Sequence, residues 1–481
     1  MNDSFKHFFA MFVGTGLSIV IGLITTPIVT RIVSPADYGN LSIFILLGNV
    51  FLVVATLGRE NAYNRYYYTE DSKEYKKYIL GATARLPITI CIITSILILA
   101  YYLVWGKSNV LIPIFVIYAC ALVLERFSSI TLRLKMKTRI YATLINIQKI
   151  VYVVFVLLAV CFTELDHLCI LALGTLIALI VIVLVGIISE RDVWSVESFL
   201  NIKKSKFTKT VNESEIFRYS LPFVFSSVCA WAFVGADKFM LKLLSTDVEL
   251  GIYASATSII GILSIVTTTF NTIWAPMAVE AYEKDFDKSF FIKATEYISI
   301  IIVITCAIVV LFKDLIIFFL GIEYRSAVYL LPFLTLNPVM YTVSESTVNG
   351  INFMKKTYLH VVITGICSVV NIALNMFLII KIGALGAAIA TGISYILFFV
   401  LRTYFSVKCF NVKYNISKIM LLFIPYCIFI IYSSFYKTNI VSVILFLAIC
   451  IVGTITYKER IIELIEILMK YIKPFDRKKE L

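Results

Sequence analysis

Long stretches of this chain carry no charge at all, and that feature restricts its fold more than any other. Leu41–Leu57, Ile88–Val104, Leu168–Ile188, Ile298–Phe312 and Ile440–Thr456 contain no Asp, Glu, Lys or Arg. Roughly 20 such residues wound as a helix cross the hydrocarbon core of a bilayer. No water reaches backbone N–H and C=O groups there, so only helices or closed barrels satisfy them. The period-2 alternation of a membrane barrel is absent. The chain is 60% hydrophobic and 15% charged, against about 25% charged in soluble domains. An all-α polytopic membrane protein is therefore expected.

Fourteen spans are read from the apolar pattern. Their approximate extents are 8–33, 41–58, 80–103, 109–126, 140–162, 167–189, 217–243, 250–278, 293–314, 326–350, 358–381, 384–407, 416–435 and 439–457. The first block, Phe8 to Val33, is too long for a signal-peptide core and lacks an A-x-A cleavage site, so it reads as a retained helix. Lys and Arg in the loops set the orientation. With the N-terminus cytoplasmic, 33 of them fall on the inside and 8 on the outside, and Arg85 and Lys149 lie within spans. Both termini are then cytoplasmic, which agrees with an even number of spans.

The net charge of +13 does not point to nucleic acid, because the basic residues sit in short loops, where they orient the chain and meet anionic lipid. The ten cysteines fall almost one per span and form no CxxC. Cys161 and Cys169 flank one outer turn, where buried thiols are expected rather than a bridge. The three histidines, His7, His167 and His360, have no metal-ligand spacing. No GxSxG, HExxH or P-loop is present, the outer loops are short, and no Gly-rich filter loop occurs. An enzyme and a channel both fit poorly.

Two short turns resemble each other. Arg31-Ile-Val-Ser-Pro-Ala-Asp-Tyr-Gly39 and Lys242-Leu-Leu-Ser-Thr-Asp-Val-Glu-Leu-Gly251 each run from a basic residue through two aliphatics, Ser and an acidic turn to Gly. Aligned on Ser34 and Ser245, the second is one residue longer. Both face outward, so the repeat is parallel, as in transporters that move two halves about a central site. The expected organisation is two pseudo-symmetric six-helix lobes, 1–189 and 217–407, joined by the polar linker 190–216. An extra helix pair at 408–457 and an amphipathic tail at 458–481 follow. In the tail, Ile461, Ile462, Leu464, Ile465, Leu468 and Ile472 share one face, suited to the inner leaflet.

The stretch Thr30-Arg31…Ser34-Pro35-Ala36-Asp37-Tyr38-Gly39 resembles the first-turn signature of the polysaccharide-exporting flippases of Wzx type. These belong to the MOP superfamily, with the lipid II flippases and the MATE drug exporters. Gly58…Arg65-Tyr66-Tyr67-Tyr68 is similar to the same family's second-helix ending. Asp237-Lys238-Phe-Met-Leu…Gly251-Ile-Tyr253, followed by Trp274-Ala-Pro276, is similar to its second-lobe opening. The resemblance implies two six-helix bundles around a cavity in a bacterial cytoplasmic (inner) membrane. It implies a monomer that moves undecaprenyl-diphosphate-linked oligosaccharide from cytoplasm to periplasm. The glycan would be an O-antigen of lipopolysaccharide, a capsule or another exopolysaccharide. A glycan polymerase and a chain-length regulator are the partners this implies. A lipid II-type flippase and a MATE-like cation-coupled drug exporter are the alternatives.

Ionisable residues inside a span cost at least ~2.5–3.5 kcal/mol on insertion scales, so each needs a reason. Lys149 lies about 14 Å inside the fifth span, next to Asn146 and Gln148. It reads either as lining a cavity that receives the cargo's diphosphate or as half of an internal salt bridge. Arg85, Arg59 and Arg65 are shallower. They either reach inner headgroups or capture the anion, which arginine holds bidentately, with Glu60 and Glu125 as expected partners. Arg31 joins this substrate set. A second set concerns ion coupling. Asp237, Asn371, Asn375 and Thr391 supply oxygen ligands at similar depth, and Asn371 and Asn375 share a helix face. Sodium-binding relatives are similar, with an acid, Asn-x-x-x-Asp and Thr. Here Asn375 stands where they carry the second carboxylate, which leaves Na+ or H+ coupling open. Interhelical hydrogen bonding is the plainer reading of the Asn and Thr residues. Glu345 is expected to balance cavity cations or to take a proton. No cofactor is expected.

Overall fold

The computed structural model describes residues 16–17, 20–105, 110–199, 211–284, 287–463 and 466. Lys6, His7, Lys107, Lys203, Lys204, Lys206 and Lys209 fall outside them. So do Leu464, Ile465, Leu468 and Ile472 of the expected tail helix. Among the described residues every regular element is helical. Eleven helices are long and apolar enough to cross a membrane, and Val20–Ile32 and Ile440–Thr456 are shorter apolar helices. One of the eleven, Tyr358–Cys409, is broken at Ile382–Gly383, where Gly383 takes φ 55° and ψ −134°. That conformation is open essentially to glycine alone. The two halves meeting there correspond to the eleventh and twelfth expected spans.

The chain forms two compact units, Met1–Ala254 and Ser255–Leu481. The first holds α1 (Val20–Ile32), α2 (Pro35–Thr56), α3 (Arg59–Tyr66), α4 (Lys73–Trp105), α5 (Leu111–Leu134), α6 (Thr138–Phe162), α7 (His167–Ser189), α8 (Val196–Phe199) and α9 (Glu213–Leu244). It also holds the start of α10 (Asp247–Ile260). Its cores are apolar stripes of these helices. Val29, Leu41, Phe44, Val156, Leu171 and Leu179 form one cluster, and Tyr63, Tyr67, Ile79, Val123 and Phe127 form another.

The second unit continues with α11 (Ser264–Glu283), α12 (Ser289–Leu311), α13 (Lys313–Phe318), α14 (Ala327–Leu334), α15 (Leu336–Thr347) and α16 (Asn349–Phe353). It ends with α17 (Tyr358–Cys409), α18 (Ile416–Phe435) and α19 (Ile440–Thr456). Trp274, Phe290, Phe291, Phe353 and Phe410 form an aromatic cluster in this unit. All ten cysteines are free thiols, and Cys161, at the last turn of α6, is exposed rather than buried as expected.

The two similar turns are both helix starts. Ser34 Oγ accepts from the backbone N–H of Asp37 at 3.2 Å, and Pro35 occupies the first turn of α2. This is the N-cap arrangement that satisfies an otherwise orphaned donor. Thr246 Oγ1 accepts from the N–H of Glu249 at 3.3 Å and does the same for α10. The caps therefore align Ser34 with Thr246, not with Ser245. In this register Gly39 aligns with Gly251, and Ser245 is the extra residue. The two turns also touch. A Cβ on Gly39 would lie 2.6 Å from Asp247 O, and one on Gly251 would lie 1.8 Å from Pro35 O. Beside the glycines, Lys242 Nζ donates to Asn40 Oδ1 (2.7 Å) and Asp247 Oδ1 (2.6 Å), and Asn40 Nδ2 donates to Asp247 Oδ2 (3.1 Å).

Candidate functional site

α6 begins at Thr138, so Lys149 sits about 16 Å along it, near its middle. A cavity of about 320 Å³ opens there within the first unit. α6 contributes Gln148, Lys149 and Tyr152, α1 contributes Thr25 and Thr26, α2 contributes Tyr38, and α7 contributes Thr175. Val29, Leu41, Ile45 and Ala178 complete the wall. Lys149 Nζ lies close to α1, where a Cβ on Gly22 would be 3.3 Å away.

The donors and acceptors of this wall are unequal. Thr25 Oγ1 donates to Ile21 O at 2.7 Å, and Thr175 Oγ1 donates to Leu171 O at 2.8 Å. A hydroxyl whose proton is spent on its own helix offers only acceptor lone pairs to a ligand. The ammonium of Lys149, the amide of Gln148 and the hydroxyls of Thr26, Tyr38 and Tyr152 can donate. Among the described residues that line the cavity none is an acid. Such a wall takes an anion at the lysine and hydroxyl-bearing groups at the threonines.

The arginines lie elsewhere. Arg59 is buried at the start of α3. It donates to Ala82 O at 3.0 Å and forms an ion pair with Glu213 Oε2 at 2.7 Å. The expected partners Glu60 and Glu125 are not used in that pair, because the N-terminus of α9 brings Glu213 onto α3 instead. Glu125 accepts from Ser129 one turn on. Arg31, Arg65 and Arg85 are exposed, and none of the four arginines lines the Lys149 cavity.

The ion-coupling residues fall in both units. Asp237, on α9 of the first unit, is buried and accepts from the Tyr253 hydroxyl at 2.8 Å. In the second unit Asn371 and Asn375 are fully buried on α17, and Asn375 Nδ2 donates to Asn371 Oδ1 at 3.0 Å. Thr391 Oγ1 donates to Ala387 O at 2.9 Å. Glu345 on α15 is paired with Arg402, whose Nη1 lies 2.6 Å from its Oε1.

Several groups at these sites carry no mark in the sequence. Tyr253 stands there only as part of the second-lobe motif. Nothing beside Arg402 points to Glu345, and Thr25 and Thr26 are hidden in an apolar run. A Thr pair inside such a run is the signal that could have marked the cavity wall.

A model of the family described as polysaccharide biosynthesis protein matches residues 4–282. No curated protein sequence matches the chain. Among solved structures, a lipid II flippase MurJ in an inward closed conformation superposes with a TM-score of 0.68 at 16% identity, covering 94% of this chain and 99% of that one. A multidrug-resistance MATE family transporter of the MOP superfamily, inward-facing, gives 0.54 at 14% identity, covering 85% of this chain and 99% of that one. A MATE in complex with MaL6 gives 0.51 at 13% identity, covering 86% and 95%. These likenesses fix the fold as MurJ- and MATE-like.

Proposed function

Because the chain belongs to the polysaccharide biosynthesis protein family, we propose that it is a flippase of lipid-linked glycan. Its cargo is polyprenyl-diphosphate-linked oligosaccharide, carried from the cytoplasmic to the periplasmic leaflet of a bacterial inner membrane by alternating access. The observation that carries this reading is Lys149, a cation in the middle of a membrane helix that lines a cavity together with Gln148, Thr25 and Thr175. A membrane-embedded charge is retained where it meets a partner, and a diphosphate is a concentrated anionic one. The threonine acceptors beside it suit sugar hydroxyls. Arg31, Arg65 and Arg85, being exposed, would meet the cargo or lipid headgroups on its path, and Arg59 would hold α3 in place through Glu213.

Coupling to an ion is part of the proposal. Asp237, Asn371, Asn375 and Thr391 would offer oxygen atoms to Na+, a hard cation. Only one of the four carries a charge, and Glu345 is a candidate for H+.

The fold shared with a lipid II flippase favours a second reading, lipid II itself, which presents the same diphosphate. A drug exporter for cations is disfavoured by a lysine-lined cavity. Depletion of the protein in a strain with no redundant carrier decides. Accumulation of the diphosphate-linked glycan on the inner leaflet supports the proposal. An unchanged distribution rejects it, and accumulation of lipid II alone supports the second reading.

A further inference from the structure

α15 is buried almost all round, and its partly open positions are Asn337, Tyr341 and Glu345. A spacing of four places them on one stripe. On α11 a second polar stripe is open, formed by Thr268, Asn271 and Thr272 at spacings of three and four. A buried bond between Thr267 Oγ1 and Thr342 Oγ1, at 2.6 Å, joins the two helices. One span, α12, separates them in sequence, so α11 and α15 cross in the same direction. At about 100° per residue, the α11 stripe lies roughly a quarter turn to one side of Thr267. The α15 stripe lies roughly a quarter turn to the opposite hand of Thr342. In helices that run the same way, both stripes then border the same side of the contact. Asn271 comes four residues after Thr267 and Glu345 three after Thr342, so the two sit level to within about 1.5 Å. Polar groups held together at membrane depth mark a wall that meets a polar ligand rather than lipid.

This wall offers acceptors more than donors. Thr272 Oγ1 donates to Thr268 O at 2.7 Å, so its lone pairs are what it presents. Asn271 Oδ1 is buried and accepts from no described residue. An amide oxygen in that position is costly, and a ligand that brings a donor removes the cost. Arg402 turns its donors onto α15, where Nη1 reaches Glu345 Oε1 at 2.6 Å and Ser344 Oγ at 2.8 Å. Its guanidinium lies 4.9 Å from the Phe398 ring and 5.8 Å from the Tyr341 ring. Glu345 keeps 18% of its side chain exposed, against 8% for Arg402, so the carboxylate is the open member of the pair.

We propose that this side of α11 and α15 is a sugar-binding wall, on which Asn271 and Glu345 accept hydrogen bonds from glycan hydroxyls. A sugar hydroxyl donates as readily as it accepts, and a carboxylate takes it in a strong charge-assisted bond. Glu345 acts here in the ionised form that Arg402 holds, so the role is separate from any uptake of H+. A cation gains little on this wall, because Arg402 already balances the carboxylate and the other five side chains are neutral. An anion meets mostly lone pairs. The wall therefore selects neutral donors rather than charge, in contrast to the lysine-bearing cavity of the first unit. That the sugar belongs to a lipid-linked cargo rests on the flippase reading above, while the sugar wall itself does not.

The test measures binding to the full chain in detergent with two probes, a short-chain prenyl diphosphate and the same lipid carrying chitobiose. The wild type is expected to bind the sugar-bearing probe about tenfold or more tightly. Asn271→Leu and Glu345→Gln each lose most of that gain, while affinity for the bare diphosphate and the thermal midpoint stay unchanged. Thr272→Val keeps the shape of its side chain and loses part of the gain, which guards against a folding defect in the other two. A gain that survives in all three variants overturns the proposal. So does an equal loss for both probes at an unchanged midpoint, or a wild type indifferent to chitobiose, free or lipid-linked. Tetraphenylphosphonium that competes with chitobiose and is lost in Glu345→Gln overturns it in favour of a cation site. If the wild type binds free chitobiose through Asn271 yet neither lipid, the sugar wall stands and the cargo reading fails.

Discussion

Gly39 and Gly251 pack backbone against backbone, so that a Cβ on Gly39 would lie 2.7 Å from Gly251 N. The same approach leaves a Cβ on Gly251 1.8 Å from a carbonyl oxygen that cannot rotate away. Gly251→Ala must therefore push α10 off α2, at a cost of about 1–3 kcal/mol. Gly261→Ala meets nothing within 4 Å and serves as the control, expected to be neutral or slightly stabilising. Thermal unfolding in detergent separates them; equal midpoints would refute the close contact.

Arg59 acts on stability. Its partner Glu213 is 59% exposed and tolerates the loss of the ion pair, whereas the half-buried Ala82 O loses a donor. Arg59→Ala is expected to destabilise by about 1–3 kcal/mol while leaving flipping per folded molecule unchanged. Abolished flipping at unchanged stability would put Arg59 in the transport path instead.

Lys313 is fully buried, and its Nζ donates to Ser433 O at 2.6 Å and Tyr436 O at 2.8 Å, at the C-terminal end of α18. Burial pushes its ammonium down to about 8 from 10.5. A folded-state value below the unfolded one means the unfolded chain binds more protons between these two values. Stability should therefore rise with pH between about 8 and 10.5. Lys313→Met should flatten that rise. A thermal midpoint that falls across this window in the wild type, or a rise that survives in Lys313→Met, contradicts the assignment.

Gly22 leaves room for the Lys149 ammonium. Gly22→Leu would place a side chain against Nζ and into the cavity. Insertion and folding should survive, because α1 has other apolar contacts, while flipping should fall strongly. Wild-type flipping in Gly22→Leu would mean that the cavity does not receive the cargo.

Much of this architecture was readable because hydrophobicity is a local property. Runs such as Leu168–Ile188 announce their helices without reference to any neighbour, and the expected spans 358–381 and 384–407 leave between them the break seen at Ile382–Gly383. Partners were less readable. Glu213 lies 154 positions from Arg59, and Arg402 lies 57 from Glu345, so each pair exists only through packing. Composition also misled in detail. Ser245 matched Ser34 by residue type, yet hydrogen bonding makes Thr246 the equivalent cap. Lys149 stood out because a charge in an apolar run is rare. Thr25 and Thr175 did not, because a threonine bonded to its own helix looks the same whether or not a cavity adjoins it.

The central claim is that Lys149, a cation in the middle of a membrane helix, receives an anionic headgroup. Its most direct measurement is the flipping rate of a prenyl-diphosphate-linked sugar by Lys149→Ala, Lys149→Arg and wild type in proteoliposomes, with thermal midpoints recorded alongside. The account predicts near-complete loss in Lys149→Ala, partial retention in Lys149→Arg, and matching midpoints. Wild-type flipping in a folded Lys149→Ala protein would contradict it.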